Sequence, residues 1–378
     1  MKLLRVLLSR TLRSLAYGAL AVGFAQALAS RGLSPLGIGS FITVALLAGA
    51  VTSALTGRLV RALGSRVTMA VSGAAMIAAA ALLAGDQRAV LLACVLGVVS
   101  PGAQDVGPFA AIEQVTLAEG GPGATRRLSW YNVAGATGIA TGALIAGFVP
   151  FLAVLGLYGL AGAAVFAVAW NLPEARLPSA PPAEPRAFRV GIVERLAALF
   201  AVDAFAGGFV VQAFIAYWFA LRFNAGPETI GPLLFAANGL AAVSYLLADR
   251  VAARIGLLNT MVFTHLPSNV LLVLVPFMPT LPLAGAVLLA RFALSQMDVP
   301  TRQAYTLALV PPHDRARAAG VTAAVRPAAA SVAPVLTGVA FQLAAAGLPF
   351  VLAGGLKIVY DLALLATFRG VALDETDT

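Results

Sequence analysis

Apolar residues along this chain run in unbroken blocks of about twenty, and Arg, Gly and Pro gather in the short gaps between them. The blocks have approximate cores at 14–31, 35–56, 67–85, 89–117, 128–148 and 151–171. A second set lies at 193–222, 228–248, 259–277, 282–310, 319–344 and 348–367. Each is long enough to cross a hydrocarbon layer as a helix, which takes roughly 20 apolar residues. Barrel strands would instead alternate apolar and polar positions over ten-residue segments. The pattern therefore predicts an all-α membrane protein of twelve transmembrane helices. Pro101, Pro150 and Pro300 fall inside or beside these blocks and are expected to kink or break helices.

Composition agrees with the pattern. Hydrophobic residues make up 60% of the 378 and charged residues 11%, with a mean hydropathy of +0.91. A water-soluble chain carries about 25% charged residues to cover its cores, so lipid must take the place of a polar surface here. The start, residues 1–32, has a basic beginning, an apolar stretch and small residues at Ala27-Leu28-Ala29, in the manner of a signal peptide. Arg10 and Arg13 push its apolar core late, and the segment has a counterpart in the second half, so it is read as a retained first helix. The one long polar stretch, residues 172–191, holds five prolines and reads as a cytoplasmic linker.

The net charge of +9 reflects topology. With twelve spans, one set of loops carries Lys2, Arg5, Arg10, Arg13, Arg58, Arg61, Arg66, Arg126, Arg127, Arg176, Arg186, Arg189, Arg195, Arg250, Arg254, Arg315, Arg317 and Arg369. The other set carries Arg31, Arg88 and Arg222. That asymmetry puts both termini in the cytoplasm. A nucleic-acid footprint would gather its arginines in one patch, and these are scattered. Cys94 is the single cysteine, and the two histidines, His265 and His313, are far apart, so no disulfide, metal site or cofactor is expected.

The sequence also repeats itself at an offset of 192 residues. Pro35, Ile38 and Gly39 return as Pro227, Ile230 and Gly231. Leu55 to Met69 returns as Leu247 to Met261, with Leu, Arg, Gly, Thr and Met in register, and Pro108 returns as Pro300. A period this long predicts two sister helix bundles, as in many secondary transporters. They are placed at 1–171 and 192–378, joined by the linker 172–191.

The segment Gly57-Arg58-Leu59-Val60-Arg61-Ala62-Leu63-Gly64-Ser65-Arg66, between the second and third spans, resembles a signature of the major facilitator superfamily. Its pattern is Gly-x-Leu-x-Asp-Arg-x-Gly-Arg-Arg; Gly57, Leu59, Gly64 and Arg66 match, and Arg61 stands at the acidic position. The second copy supplies Asp249, Arg250, Arg254 and Gly256. The resemblance implies two six-helix bundles that alternate access to a central site, with helices 1, 4, 7 and 10 lining the cavity. It also implies a cytoplasmic latch built from Gly57, Arg58, Gly64, Arg66, Asp249, Arg250 and Gly256. The same arginines also read as simple headgroup anchors. On the fifth span, Gly138, Gly142, Ala143, Ala146 and Gly147 resemble a drug-exporter motif without its proline, and close helix packing explains such small residues equally well.

Ionisable groups inside a membrane are costly and mark function by default. Candidate substrate or coupling residues are Asp105, Asp203, Gln212, Arg291, Asp298, Arg302 and Arg326, most of them on spans 4, 7 and 10. Asp203 has no partner on its own helix and is the first choice of proton carrier, with pairing to Arg291 or Arg326 as the alternative. Asp298–Arg302 and Lys357–Asp361 are spaced to pair at i, i+4. Glu113 with Gln114, and Arg302 with Gln303, are candidates for a cytoplasmic gate. Tyr17, Gln26, Trp130, Tyr131 and Asn132 are candidate substrate contacts.

The chain is thus expected to be a monomeric secondary transporter of a small organic solute, coupled to protons. The alternatives are an organic-anion uniporter, a drug exporter, or a non-transporting membrane scaffold. No nucleophile–base constellation, metal-ligand cluster or phosphate loop argues for an enzyme. The preference for Arg over Lys points to a bacterial inner membrane.

Overall fold

In a computed structural model, which describes residues 2–118, 124–175, 190–310 and 315–371, the described residues form fifteen α-helices. The expected spans map onto them with one kind of difference: spans 4, 7 and 10 are each two helices rather than one. Span 4 is α4 (Gln87–Val95) and α5 (Phe109–Ala118), span 7 is α8 (Val190–Gly208) and α9 (Gln212–Phe223), and span 10 is α12 (Leu281–Ser295) and α13 (Asp298–Ala308). The others are continuous: α1 (Lys2–Ser30), α2 (Pro35–Leu63), α3 (Ser65–Leu83), α6 (Ala124–Ala146) and α7 (Phe151–Ala169) precede residue 176. α10 (Pro227–Ile255), α11 (Leu257–Leu274), α14 (Arg315–Gln342) and α15 (Leu348–Phe368) follow it. Nine stretches among the described residues are long and apolar enough to cross a membrane. The shortfall from twelve is the two short halves of spans 4 and 10 and the polar start of α6, not missing helices. Of the linker, residues 176–189 lie outside the described residues, as does His313.

Local signals set the helix ends. Ser34 accepts a hydrogen bond from the Gly37 amide and Pro35 opens α2; Asp86 does the same for Ala89 at the start of α4. The 192-residue repeat is visible in the backbone. α2 runs Pro35–Leu63 and α10 runs Pro227–Ile255, both 29 residues long. Each is ended by a glycine in the same unusual conformation, φ 84° and ψ 157° at Gly64, φ 83° and ψ 162° at Gly256. Only glycine adopts this geometry without strain, so the two signature glycines make the turns into α3 and α11.

The residues group into two compact units. One comprises Met1–Ser179, Val211–Gly239 and Pro334–Ala344; the other comprises Ala180–Val210, Leu240–Ala333 and Ala345–Thr378. In the first, α1 packs on α6, α7 and α9, and α3 on α7. The small residues of α6 are used here: a side-chain carbon at Gly138 or Gly142 would overlap the α1 backbone at Thr11 or Leu15. At the ends of α10 and α14 that belong to this unit, Gly231 lies against Ala143 and Gly147, and Gly338 against Pro35 and Gly39. In the second unit, α11 packs on α12, α13 and α15, and α15 on α8. Its core holds Leu196, Phe200, Met261, Val262, Tyr305, Leu309, Tyr360 and Leu364.

Large apolar side chains also point outward, among them Leu92, Phe148, Leu152, Leu160, Phe263 and Leu362. That is the surface a hydrocarbon solvent requires. Broken backbone is tolerated at membrane depth only where protein groups satisfy it. In the break 96–108, Tyr158 donates to the Val98 carbonyl, and Thr52 to that of Gly97 at 3.2 Å. Ser53 donates to Gly107 at 2.9 Å, Ser100 to Gln104 at 2.6 Å, and the Ala213 amide to Pro101 at 3.1 Å.

Candidate functional site

Two networks of buried charge occupy the interior, one in each unit. In the first, Arg13 is 0% exposed and sits over the Phe109 ring at 4.5 Å. Its guanidinium donates to Glu113 at 2.8 and 3.0 Å and to Asp105 at 3.1 and 3.4 Å. Arg10 pairs with Asp105, Tyr131 donates to Glu113 at 2.8 Å, and Ser9 donates to Glu113 at 2.7 Å. Two arginines thus face two carboxylates, so the network is formally neutral. Arg10 and Arg13, expected in a cytoplasmic loop, lie inside α1. Glu113, expected at a gate, is 0% exposed and has both oxygens committed within its own unit.

The second network is centred on Asp203 of α8, which has no partner on its own helix and pairs across helices, with Arg326 as the alternative had it and with two further cations. Its Oδ1 accepts from Lys357 of α15. Its Oδ2 accepts from Arg302 of α13 at 3.3 Å and from Arg326 of α14 at 2.9 Å. Four helices thus meet at one carboxylate. Arg302 also holds Asp298 at 2.7 Å, the i, i+4 pair that the spacing predicted. The spacing of Lys357 and Asp361 suggested a second such pair, but Lys357 is drawn to Asp203. Asp361 instead accepts from His265 Nδ1 at 2.8 Å and Asn269 Nδ2 at 2.8 Å, both on α11. Arg291 of α12 is 8% exposed and has no ion-pair partner among the described residues; its Nε is bare. By formal charge, leaving His265 aside, Asp203, Asp298 and Asp361 stand against Arg291, Arg302, Arg326 and Lys357, three negative groups against four positive.

The remaining candidates fall elsewhere. Gln212 is 7% exposed, takes a hydrogen bond from Asn238 at 3.1 Å and leaves its own amide nitrogen without a partner. Tyr17 and Gln26 of α1 likewise keep buried polar atoms unsatisfied, which suits groups that meet a ligand. Trp130, Asn132 and Gln303 are exposed, while Tyr131 belongs to the first network. In the latch segment, Gly57 lies within α2, and Arg58, Asp249, Arg250 and Gly256 are exposed with no ion pair among the described residues. The turn of the first copy is held by Glu174. Its carboxylate accepts from the Ser65 amide at 3.0 Å and hydroxyl at 2.7 Å beside Gly64, while Arg66 donates to the Leu172 carbonyl at 2.7 Å. These hydrogen bonds, the Ser65 hydroxyl first, hold the Glu174 carboxyl below the usual carboxylate range.

Sequence reading missed His265, Asn269 and Glu174. The available signal for the first two was a polar pair four apart inside the apolar block 259–277. Glu174 stood beside Pro173 at the start of the linker 172–191, with nothing local to show that it folds back on Ser65.

A family model described as Major Facilitator Superfamily matches residues 6–334. An uncharacterized membrane protein of Saccharomyces cerevisiae, YJR124C, is 24% identical over 387 residues, spanning 88% of this chain and 86% of that protein. Among solved structures, a D-xylose-proton symporter superposes with a TM-score of 0.75 over 100% of both chains at 14% identity. The human organic anion transporter MFSD10 does so with a TM-score of 0.70 at 16% identity, covering 96% of this chain and 98% of that one. The architecture is that of transporters rather than enzymes, and the chain belongs to the major facilitator superfamily.

Proposed function

We propose that this protein is a secondary active transporter that carries a small organic solute by alternating access and couples its movement to protons. One observation carries the reading: a buried or half-buried acid lies at or near the interruption of each of spans 4, 7 and 10. Asp105 lies in the break between α4 and α5. Asp203 lies in the last two turns of α8, which ends at Gly208, and the polar Gln212 opens α9. Asp298 is the first residue of α13, directly after the break in span 10. A membrane protein retains charge and broken helix together where they bind and release something. A ligand or proton that changes these pairings changes the relative stability of the carrier's states, which is what coupling requires.

The repeated helices α2 and α10 support a division into bundles at 1–171 and 192–378. The arginine-rich loops support termini in the cytoplasm. Uptake and efflux in proteoliposomes, run against a chemically diverse solute panel with imposed pH gradients, test the reading. No transport across the panel would count against a carrier, and transport indifferent to the gradient would remove the proton.

A second reading concerns the solute's charge. Arg291 is a buried guanidinium without a counter-ion, and its network holds one more positive charge than negative. An anionic group on the solute would supply the missing charge. Competition by carboxylates over lipophilic cations in the same assay supports it, and the reverse order would overturn it.

A further inference from the structure

Every carboxylate in the second network except Asp361 is held by arginine or lysine, so none of those is free to take a proton without expelling a cation. His265 differs. It is 4% exposed, on α11, between two acids on other helices: Asp361 Oδ1 lies 2.8 Å from its Nδ1, and Asp203 Oδ1 lies 3.9 Å from its Nε2. The ionised Asp361 carboxylate accepts only, so beside it Nδ1 carries the hydrogen in the neutral ring and Nε2 keeps its lone pair. Asn269 Nδ2 donates to Asp361 Oδ2 at 2.8 Å and so leaves Oδ1 to His265. The lone pair thus points toward the oxygen of Asp203 that Lys357 holds.

We propose that His265 is the proton-binding group of this carrier, and that protonation at Nε2 displaces Lys357 from Asp203. The proposal rests on the coupled-transporter reading above and identifies its proton site. Taking a proton from water gives Nε2 a hydrogen to donate, and a charge-assisted bond needs the 3.9 Å gap to shorten by about 1 Å. Two cations would then compete for one oxygen. Lys357 has room to leave, because Gly207, one turn beyond Asp203, puts no side chain over its ammonium. It also has somewhere to go: Asp361 is one turn further along α15. The proton would thereby loosen α15 from α8.

Around His265 itself stand Asp203 of α8, and Asp361 and the edge-on Tyr360 ring at 6.1 Å, both of α15. The charges grouped on Asp203 beyond it are Lys357 of α15, Arg326 of α14 and Arg302 of α13, which also holds Asp298, and Arg291 of α12 is the remaining cation of the network.

The composition makes the test clean. The only histidines are His265 and His313, and the only lysines are Lys2 and Lys357. Full-length protein in nanodiscs, labelled with ¹⁵N-histidine and ¹⁵N-lysine and carrying His313→Gln and Lys2→Arg, gives one imidazole and one ammonium to follow from pH 5 to 9. The expected result is a His265 Nε2 signal that moves from lone-pair to protonated position, and a Lys357 signal that moves with the same midpoint. Asp361→Asn should shift neutral His265 toward the Nε2–H tautomer. In His265→Gln, the Lys357 signal should be flat. An imidazole fixed in one protonation state throughout, or one that titrates while Lys357 stays still, overturns the proposal. Solute transport persisting alongside either result leaves the carrier reading standing and removes only its proton site.

Discussion

Replacing Asp203 by Asn removes the single negative charge that Lys357, Arg302 and Arg326 share. Arg302 retains Asp298, but Lys357 and Arg326 have no other ion-pair partner among the described residues. Uncoupling a buried pair by deleting one member costs about 3–5 kcal/mol, because the surviving charge stays desolvated. At 1.4 kcal/mol per decade, this lowers the folded-to-unfolded ratio by roughly two to three and a half orders of magnitude. Lys357→Met should cost less, about 1–3 kcal/mol, since Asp203 keeps both arginines. The diagnostic variant is the double one. With Asp203→Asn in place, Lys357→Met deletes an orphaned cation, so the double variant should be more stable than Asp203→Asn alone by about 1 kcal/mol or more. Fluorescence-detected size-exclusion after heating, on all four proteins in one detergent, measures the cycle. If Asp203→Asn unfolds with the parent protein, or the two losses simply add, then Asp203 is not the shared counter-ion and the network argument fails.

Other expectations follow from single features. Arg13→Met leaves Glu113 fully buried without a cation, so the same heating assay should show a loss of about 3–5 kcal/mol, whereas Arg58→Met, on an exposed residue, should lose little. Arg291→Gln removes an unpaired buried charge; it should raise the unfolding temperature of the solute-free protein while weakening competition by carboxylates in liposome uptake. Glu174 has its carboxyl lowered by Ser65, so its hold on α3 is complete above the ordinary glutamate value and fades as pH falls through the lowered one. Protection of the Ser65 amide, measured as exchange relative to the unstructured peptide at the same pH, should therefore fall in acid, and Glu174→Gln should show the lower protection already at neutral pH. Val335 donates its amide to Thr43 at 3.0 Å, so a Thr43→Cys/Val335→Cys pair in a Cys94→Ser background should crosslink, and adding Gly39→Val, which has no room beside Pro334 and Gly338, should reduce the yield several-fold.

The sequence alone determined the solvent, the spans and the duplication. These are properties of local composition: twenty apolar residues commit to a helix in lipid whatever lies beside them, and Gly64 and Gly256 impose the same turn on both copies because the constraint lies in one residue's backbone. The i, i+4 pairing of Asp298 with Arg302 was legible for the same reason, being fixed by helix geometry. What lies across helices was not. Asp203 looked solitary because its three cations come from α13, α14 and α15, 99 to 154 residues away in sequence. Lys357 and Asp361 had the right spacing to pair, yet each is claimed by groups on another helix. His265 looked inert until packing placed it between two acids. A buried charge is paired according to which helices touch, and packing sets those contacts.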